Sequence, residues 1–281
     1  MSSILKVGLH ISISGSIDRA VDRAAEIGCT AFQIFTRNPR GWNYSPLTKL
    51  EAESYVNKSK KFDLLSVTHM PYLPNLASPL LDTQKKSLDS LAGELDRCGI
   101  LEIPYLVTHL GSHLGSGVEK GMRNVANVCI QALNKAENDV MILLENTAGS
   151  KNSVGSSFDQ IKEIMDMIDS ERVGVCFDTC HAFAAGYDLR TDEKITETIE
   201  KFDSRIGMDN LKVIHVNDSK GELGGHKDRH EHLGMGQIGE EGFRALLTRK
   251  DIRSLPLILE TPVDDRRPDI GNLNKLRALA N

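Results

Sequence analysis

The stretch Val213-Ile214-His215-Val216-Asn217-Asp218 places a single imidazole within a short apolar run that begins at Leu211. Apolar runs of this length predict strands buried on both faces, as the strands of a parallel sheet are. The loop that follows is rich in Gly, Lys and Glu, and it leads to Asp228-Arg229-His230. Imidazole nitrogens and carboxylate oxygens are ligands for zinc and related metals. One such triplet is common in solvated loops, so the pattern gains meaning only where other strands repeat it.

The composition indicates one large folded unit. A length of 281 residues with 40% hydrophobic content fits a single domain over residues 1–281. The formal net charge of −5 gives no overall basic surface, so contacts with nucleic acid would need a local patch or bound cations. No apolar run is long enough for a membrane span, and the N-terminus lacks a signal-peptide pattern, which together predict a cytoplasmic protein. The five cysteines favour reduced thiols, and Cys176 and Cys180 do not have the spacing of a usual zinc pair.

Eight strand-like runs alternate with helix-like segments along the chain. The predicted strands are Lys6–Leu9, Ala31–Phe35, Leu64–Thr68, Ile103–Thr108, Val140–Leu144, Val173–Phe177, Leu211–Val216 and Leu255–Leu259. The predicted helices are Ser16–Ile27, Leu47–Lys61, Asp82–Arg97, Val118–Lys135, Phe158–Ile168, Glu193–Phe202, Glu240–Leu247 and Ile270–Ala280. This alternation predicts an α/β fold with a parallel sheet, and eight strands are the number that closes a (β/α)8 TIM barrel. A doubly wound open sheet is the alternative, although the first turn, residues 10–15, lacks its G-x-G-x-x-G pattern.

Six consecutive predicted strands end in a potential metal ligand, and these residues are His69, His109, Glu145, Asp178, His215 and Glu260. Neighbouring members are one βα unit apart, and the C-terminal strand ends of a barrel all lie on one face, so the six side chains are expected to converge. Three further candidates follow these strand ends, namely His181, Asp228 and His230. A single histidine or acid at a strand end is more often a packed residue or a helix cap. Six in succession are hard to explain in that way.

Charge supports a metal site over a merely packed one. Burying Glu145, Asp178, Asp228 and Glu260 together would raise the pKa values of these carboxyl groups by mutual repulsion unless cations lie among them. Nine candidate ligands exceed what one tetrahedral zinc ion needs. With one bridging carboxylate they suit about three metal ions, each with an open position. The sequence therefore predicts a multinuclear metal site.

Long motifs surround these residues and carry a family resemblance. They are Glu145–Gly149, Gly174–Asp188, His215–Lys220, Asp228–His230, Leu233–Gly239 and Pro256–Thr261. The chain resembles the endonuclease IV family (AP endonuclease family 2) over essentially its whole length. The resemblance implies a (β/α)8 barrel with three zinc ions, a hydrolase of the deoxyribonuclease IV type that acts in base-excision repair. Its partner would be double-stranded DNA, cut on the 5′ side of abasic sites to leave 3′-hydroxyl and 5′-deoxyribose phosphate ends, with trimming of blocked 3′ ends as well. A monomer is expected.

The resemblance also implies a role for each candidate ligand. The three ligand groups would be His69, His109 and Glu145; Glu145, Asp178, His215 and Glu260; and His181, Asp228 and His230. Glu145 would bridge the first two ions, and Glu145 and Glu260 would be the catalytic carboxylates.

The family also inserts side chains into DNA at the abasic site, and the matching positions here are Arg40, Tyr72 and Leu73. Such side chains act as wedges in an opened base stack. Pro71 and Pro74 depart from the family pattern and are expected to rigidify the loop between them. Contacts to the DNA backbone are expected from cationic residues on nearby loops, which are Arg37, Arg40, Lys220, Lys227 and Arg229.

Two other functions fit parts of the pattern. A sugar isomerase or epimerase on a related barrel also places acids and histidines at strand ends, but it binds one or two metal ions. The third ligand group, His181, Asp228 and His230, would be superfluous there. A non-catalytic DNA-binding barrel is the second alternative, and the intact set of nine ligands argues against it.

Overall fold

A computed structural model describes residues 5–281 of the chain. The strands are β1 (Val7–Leu9), β2 (Ala31–Ile34), β3 (Leu65–His69), β4 (Tyr105–Thr108), β5 (Met141–Glu145), β6 (Val173–Asp178), β7 (Leu211–His215), β8 (Asp218–Ser219), β9 (His230–Glu231) and β10 (Leu257–Leu259). The α-helices are α1 (Arg19–Glu26), α2 (Lys49–Phe62), α3 (Leu81–Ile100), α4 (Val118–Lys135), α5 (Phe158–Ile168), α6 (Thr179–Ala184), α7 (Asp192–Arg205), α8 (Gly239–Thr248), α9 (Lys250–Arg253) and α10 (Asp269–Leu279). One 3₁₀ turn, Met208–Asn210, precedes β7.

Eight of the strands form a parallel sheet in the order β1-β10-β7-β6-β5-β4-β3-β2. The two ends of this sheet meet, because His10, directly after β1, pairs in parallel with Gln33 of β2. The backbone N–H of Ile11 donates to Gln33 O at 2.7 Å, and that of Thr30 donates to Val7 O at 2.9 Å. The predicted (β/α)8 TIM barrel is confirmed, and the open doubly wound sheet is excluded.

The core has two layers. Inside the barrel, inward-pointing side chains from seven strands pack against one another, and they are Ala31, Val67, Val107, Leu143, Cys176, Val213 and Ile258. A larger apolar layer lies between the sheet and the surrounding helices. Cys176 is thus a packing residue of the barrel interior. No helix within residues 5–281 is both long and apolar enough to cross a membrane.

Several helix ends have identifiable causes. At the start of α2, the Thr48 hydroxyl accepts the N–H of Glu51, and the Glu51 carboxylate accepts the N–H of Thr48. At the end of β6, the Asp178 carboxylate accepts the N–H of His181 at 2.7 Å and so caps α6. The chain therefore passes from strand to helix without a loop, and this turn places His181 beside the end of β6.

The boundaries differ from the predicted ones at informative places. Helix α3 continues to Ile100, past Gly99; a Cβ atom at Gly99 would lie 2.9 Å from Asn138 Nδ2, so the helix packs closely against Asn138 at this point. Helix α1 begins only at Arg19, after a turn in which Ser16 Oγ donates to Asp18 at 2.5 Å. The sequence patterns did not predict α6, α9 or the hairpin of β8 and β9, which are all short.

Candidate metal centre

The barrel brings the predicted ligands together at the C-terminal ends of its strands. His69, Glu145, Asp178 and His215 are the last residues of β3, β5, β6 and β7. His109 and Glu260 come directly after β4 and β10. His181 lies on α6, Asp228 precedes β9, and His230 begins β9. Each of the nine side chains belongs to at least one group of three or four residues whose ligand atoms lie within 4.8 Å of one another, and the group of Asp228 and His230 also includes Cys180.

Glu145 is completely buried at the centre of the cluster. Its Oε2 lies 3.2 Å from His69 Nε2 and 3.0 Å from His109 Nε2. Its Oε1 lies 3.0 Å from His215 Nδ1 and 3.4 Å from His181 Nδ1. One carboxylate therefore faces two sets of imidazoles with its two oxygens, which is the arrangement a bridging ligand requires.

The second group surrounds His215 Nδ1. Besides the Glu145 oxygen, it lies 3.3 Å from Glu260 Oε2 and 3.8 Å from Asp178 Oδ2. Asn217 holds two of these groups in place, because its Nδ2 donates to Asp178 Oδ2 and its Oδ1 accepts the N–H of Glu260, both at 2.7 Å. Three carboxylates thus converge on one imidazole nitrogen.

The third group is more exposed. Asp228 Oδ1 lies 3.2 Å from His181 Nε2 and 3.3 Å from His230 Nε2, and about half of the Asp228 side chain is exposed. Asp178 Oδ2 is 3.7 Å from His230 Nε2, so Asp178 lies between the second and third groups. Cys180 also approaches this group, but burial raises the pKa of its thiol to about 12, which disfavours the thiolate needed for metal binding.

Asp218 orients the segment that carries the third group. Its buried carboxylate accepts the backbone N–H groups of Gly234, Gly236 and Ile238 at 2.9–3.0 Å. A side chain at Gly236 would meet Ser219 O at 2.4 Å, so this loop requires glycine for its close approach. The hairpin of β8 and β9 is folded back against the barrel in this way, and His230 is directed toward the other ligands.

Charge at the centre is balanced between carboxylates and imidazoles. Burial disfavours ionisation of Glu145, but the charges of His109 and His215 hold the pKa of Glu145 well below its usual value. Burial also disfavours the cationic form of His181, yet Asp178 and other carboxylates raise the pKa of His181 well above its usual value. The Glu145 carboxylate is therefore ionised. A divalent cation would replace the imidazole protons, because a metal ligand must be deprotonated.

The residues present fit metal ions. In three of the histidines Nδ1 lies close to a backbone carbonyl oxygen, at 2.7 Å for His69 and Met70, 3.0 Å for His181 and Asn146, and 3.0 Å for His230 and Glu260. A carbonyl only accepts, so the neutral ring carries its hydrogen on Nδ1 and offers Nε2 as the ligand atom. His230 Nε2 is buried and makes no hydrogen bond among the described residues. A metal ion would satisfy this nitrogen, and the set of imidazoles and carboxylates is one that zinc accepts.

A cavity of about 400 Å³ opens above the ligands. Its walls are formed by His10, Phe35, His69, Tyr72, His109, His181, Asp228, His230, Glu260, Thr261 and Val263. The ligands form its floor, and Tyr72 and Val263, which are 64% and 91% exposed, stand at its rim. A polar floor under a partly apolar rim suits a substrate with a polar group and a larger attached body.

Six of the seven residues predicted to contact DNA have exposed side chains, and one is buried. Arg40 and Tyr72 are exposed, Leu73 is 39% exposed, and the Tyr72 N–H donates to Pro39 O at 3.2 Å, which joins the two loops. The Tyr72 ring also meets the Phe35 ring edge-on, with centroids 5.1 Å apart. Lys220, Lys227 and Arg229 are exposed on the loop between β8 and β9.

Arg37 does not face solvent, contrary to the expectation that it contacts DNA. Its side chain is 3% exposed and forms an ion pair with the buried Glu94 of α3. Its guanidinium also donates to Gly41 O at 3.0 Å and to Trp42 O at 3.3 Å. Arg37 therefore supports the loop that carries Arg40, and a DNA contact from its side chain is excluded in this structure.

Four residues at the site were not predicted, and they are Gln33, Asn146, Asn217 and Asp218. Each of them bonds to a ligand residue or to the backbone around it. Three of them lie within motifs already noted: Asn146 directly follows Glu145, and Asn217 and Asp218 come two and three residues after His215. Gln33 lies 36 residues before the first predicted ligand, and only its polarity within a buried strand could have marked it.

Known proteins share this architecture. The family described as a xylose isomerase-like TIM barrel matches residues 21–279. A relative from Nitrosopumilus maritimus, called probable endonuclease 4, is 53% identical over 280 residues, which are 98% of this chain and 100% of the relative. The crystal structure of endonuclease IV from Thermus thermophilus has a TM-score of 0.88 at 34% identity, over 98% of each chain. A D-tagatose 3-epimerase-like protein has a TM-score of 0.73 at 22% identity, over 98% of this chain and 95% of its own, which shows a shared fold alone.

The fold and the cluster at its strand ends define a xylose isomerase-like TIM barrel with groups that could bind metal ions. At 53% identity over almost the whole of both chains, the comparison is specific within that class. The chain belongs to the endonuclease IV family.

Proposed function

We propose that this protein is a DNA-repair endonuclease that hydrolyses the phosphodiester bond on the 5′ side of abasic sites. The observation that carries the proposal is the third ligand group. His181 and His230 converge on Asp228 beside the other six ligands, and a sugar isomerase or epimerase with one or two metal ions would have no use for this group. Membership of the endonuclease IV family supports the same activity.

The residues that would hold three zinc ions fall into three groups. These are His69, His109 and Glu145; Glu145, Asp178, His215 and Glu260; and His181, Asp228 and His230. Bound divalent ions of this kind supply a nucleophilic hydroxide at neutral pH and polarise phosphoryl oxygens. Three Zn²⁺ ions would outweigh the four carboxylates of the site, so an acidic protein would offer a cationic floor to a phosphate.

Glu145 and Glu260 have distinct tasks in this proposal. Glu145 faces ligands on both sides and fixes the spacing of the first two groups. Glu260 lines the cavity, and burial of its carboxyl group is outweighed by the charge of His215, which holds the pKa of Glu260 well below its usual value. Its ionised carboxylate accepts a hydrogen bond from the attacking water and orients that water toward the phosphorus.

The cavity rim would recognise the damaged DNA. Tyr72 and Leu73 enter the base stack where the abasic nucleotide lacks a base, and Arg40 enters from the adjoining loop. The abasic nucleotide is unpaired, so rotating it into the cavity costs little, which gives selectivity. Lys220, Lys227 and Arg229 contact the phosphate backbone.

The proposed reaction belongs to the deoxyribonuclease IV class and leaves a 3′-hydroxyl and a 5′-deoxyribose phosphate. The same site would remove phosphates and sugar fragments that block 3′ ends. We further propose that residues 1–281 act as one cytoplasmic monomeric unit, with the active site at the C-terminal strand ends.

The test is product analysis on an end-labelled duplex with one abasic site. We expect one cut, directly 5′ to the abasic site. The fragment on the 5′ side of the cut should carry a 3′-hydroxyl that a DNA polymerase can extend. A duplex of the same sequence without the abasic site is the control. Cutting on the 3′ side, or equal cutting of both duplexes, would refute the assigned reaction.

A further inference from the structure

Gln33 is a fully buried amide at the end of β2, in the seam where the barrel closes. Its side chain contacts residues at three other strand ends. Gln33 Nε2 donates to Glu260 Oε1 at 2.6 Å and lies 3.0 Å from His10 Nδ1. Gln33 Oε1 lies 2.8 Å from His215 Nε2. The oxygen and the two N–H groups of the amide thus all have a partner.

The orientation of this amide follows from the chemistry of its partners. An ionised carboxylate only accepts hydrogen bonds, so the NH₂ group of Gln33 must face Glu260. The carbonyl oxygen of Gln33 must then face His215, and it can only accept. His215 Nε2 is therefore the nitrogen that carries the hydrogen. The neutral ring offers its lone pair on Nδ1, which is the atom that faces Glu145, Asp178 and Glu260.

His215 differs in this respect from three other histidines of the centre. His69, His181 and His230 have Nδ1 against a backbone carbonyl and offer Nε2. His215 has the opposite orientation, and a side chain takes the place of the backbone acceptor. The second ligand group therefore depends on one residue that can be changed by mutation, whereas the backbone acceptors cannot.

We propose that Gln33 is a positioning residue for metal binding, which fixes the tautomer of His215 and the rotamer of Glu260 through a single carboxamide. This inference rests on the proposed metal centre and adds a residue to it outside the nine ligands. Hydrogen-bond partners of this kind typically contribute about 10- to 100-fold to metal affinity.

Two substitutions separate the parts of this role. Gln33→Leu removes all three hydrogen bonds and leaves the buried N–H of His215 without an acceptor. Gln33→Glu keeps the size of the side chain and an acceptor for His215, but it places a carboxylate oxygen against Glu260 Oε1. Both variants are expected to weaken binding. Gln84→Leu is the matched control, because the side chain of Gln84, on α3, donates to the carbonyl oxygen of Ser78, outside the ligand cluster.

The experiment titrates Zn²⁺ alone into the metal-free full-length protein in competition with a chromophoric chelator. We expect one zinc equivalent to bind about 10- to 100-fold more weakly in both Gln33 variants, while Gln84→Leu behaves as wild type. The visible spectrum of the Co²⁺-loaded protein is expected to change for the Gln33 variants alone. Thermal unfolding of the metal-free proteins measures how much each substitution changes the stability of the fold itself.

The outcomes distinguish the inference from the function on which it rests. Lower thermal stability of the metal-free Gln33 variants with unchanged Zn²⁺ affinity would mean that Gln33 is only a packing residue, and would overturn the inference. If Gln33→Leu does not fold, the isosteric Gln33→Glu decides alone. A wild-type protein that binds no Zn²⁺ would instead contradict the metal centre itself.

Discussion

Arg37 Nε lies 2.5 Å from Glu94 Oε1, and both side chains are almost completely buried between α3 and the loop that follows β2. The same carboxylate accepts the hydroxyl of Thr36 through its other oxygen. Because the Arg37 guanidinium also donates to the carbonyl oxygens of Gly41 and Trp42, the ion pair fixes both sides of Arg40. A loop proposed to enter DNA is thus held in place from within the protein.

This relationship predicts a large loss of stability for Glu94→Ala. The substitution leaves the buried guanidinium of Arg37 without its counter-charge, which typically costs about 3–5 kcal/mol. Glu53→Ala on α2 is the control, since Glu53 forms an exposed pair with Lys49 that is worth about 1 kcal/mol or less. Urea unfolding measures the free energy of unfolding of both variants. Equal losses in the two variants would show that the buried pair contributes no more than a surface pair.

Glu145→Gln is expected to lower activity on abasic DNA by about 10²-fold or more. The substitution keeps the shape of the side chain, but it replaces one oxygen by an NH₂ group that cannot face imidazole ligands on both sides. The matched control is Glu53→Gln, distant on α2. Single-turnover cleavage and zinc content are measured together. Near-wild-type rates in Glu145→Gln would show that Glu145 does not bridge two metal ions.

Asp228→Asn tests whether the third ligand group binds a metal ion of its own. Asp228 is the only carboxylate that lies within 3.3 Å of both His181 and His230, among the described residues. We expect the protein to lose about one zinc ion and to keep the others, with a severe loss of DNA cleavage. The control is Asp209→Asn, in the 3₁₀ turn before β7, which should keep its full zinc content. Unaltered zinc content in Asp228→Asn would remove the third site from the account.

Tyr72→Ala separates DNA repair from sugar chemistry. Stacking contacts of an aromatic ring in an opened helix are worth roughly 1–3 kcal/mol, which corresponds to about 5- to 150-fold weaker binding of abasic duplex. Zinc content should not change, because Tyr72 is not a ligand. Phe62→Ala is the control. Phe62 is 40% exposed at the C-terminal end of α2, which leads into the start of β3, at the other end of the strand from the candidate ligand His69. Binding is measured at one fixed salt concentration, and unchanged affinity would exclude Tyr72 as a wedge.

The barrel and the convergence of the candidate ligands could be predicted because both depend on local patterns. Each barrel strand is a short apolar run, and six of the nine candidate ligands stand at the end of such a run, as Glu145 does for β5. Parallel connectivity then requires that the strand ends meet. Helix α6 was not predicted, because all six of its residues are buried and the segment has no amphipathic period. The hairpin of β8 and β9 has two residues a strand, too few for any period.

The supporting residues could not be predicted because their partners are distant in sequence. Arg37 and Glu94 are 57 residues apart, and a loop arginine beside a predicted DNA contact has the same appearance whether it faces DNA or the core. Gln33 and His215 are 182 residues apart. The chemistry of imidazoles and carboxylates marks candidate ligands in a sequence, but no comparable signal marks the amides and ion pairs that orient them.

The most direct test of a metal-dependent endonuclease specific for abasic sites compares cleavage of an abasic duplex and an intact duplex by one preparation of the protein in three states. These are the purified protein, the protein after chelation and dialysis, and the dialysed protein after Zn²⁺ is restored. We expect a cut only at the abasic site, and we expect this activity to be lost on chelation and recovered with zinc. Cleavage that survives removal of all metal, or that does not distinguish the two duplexes, would contradict this expectation.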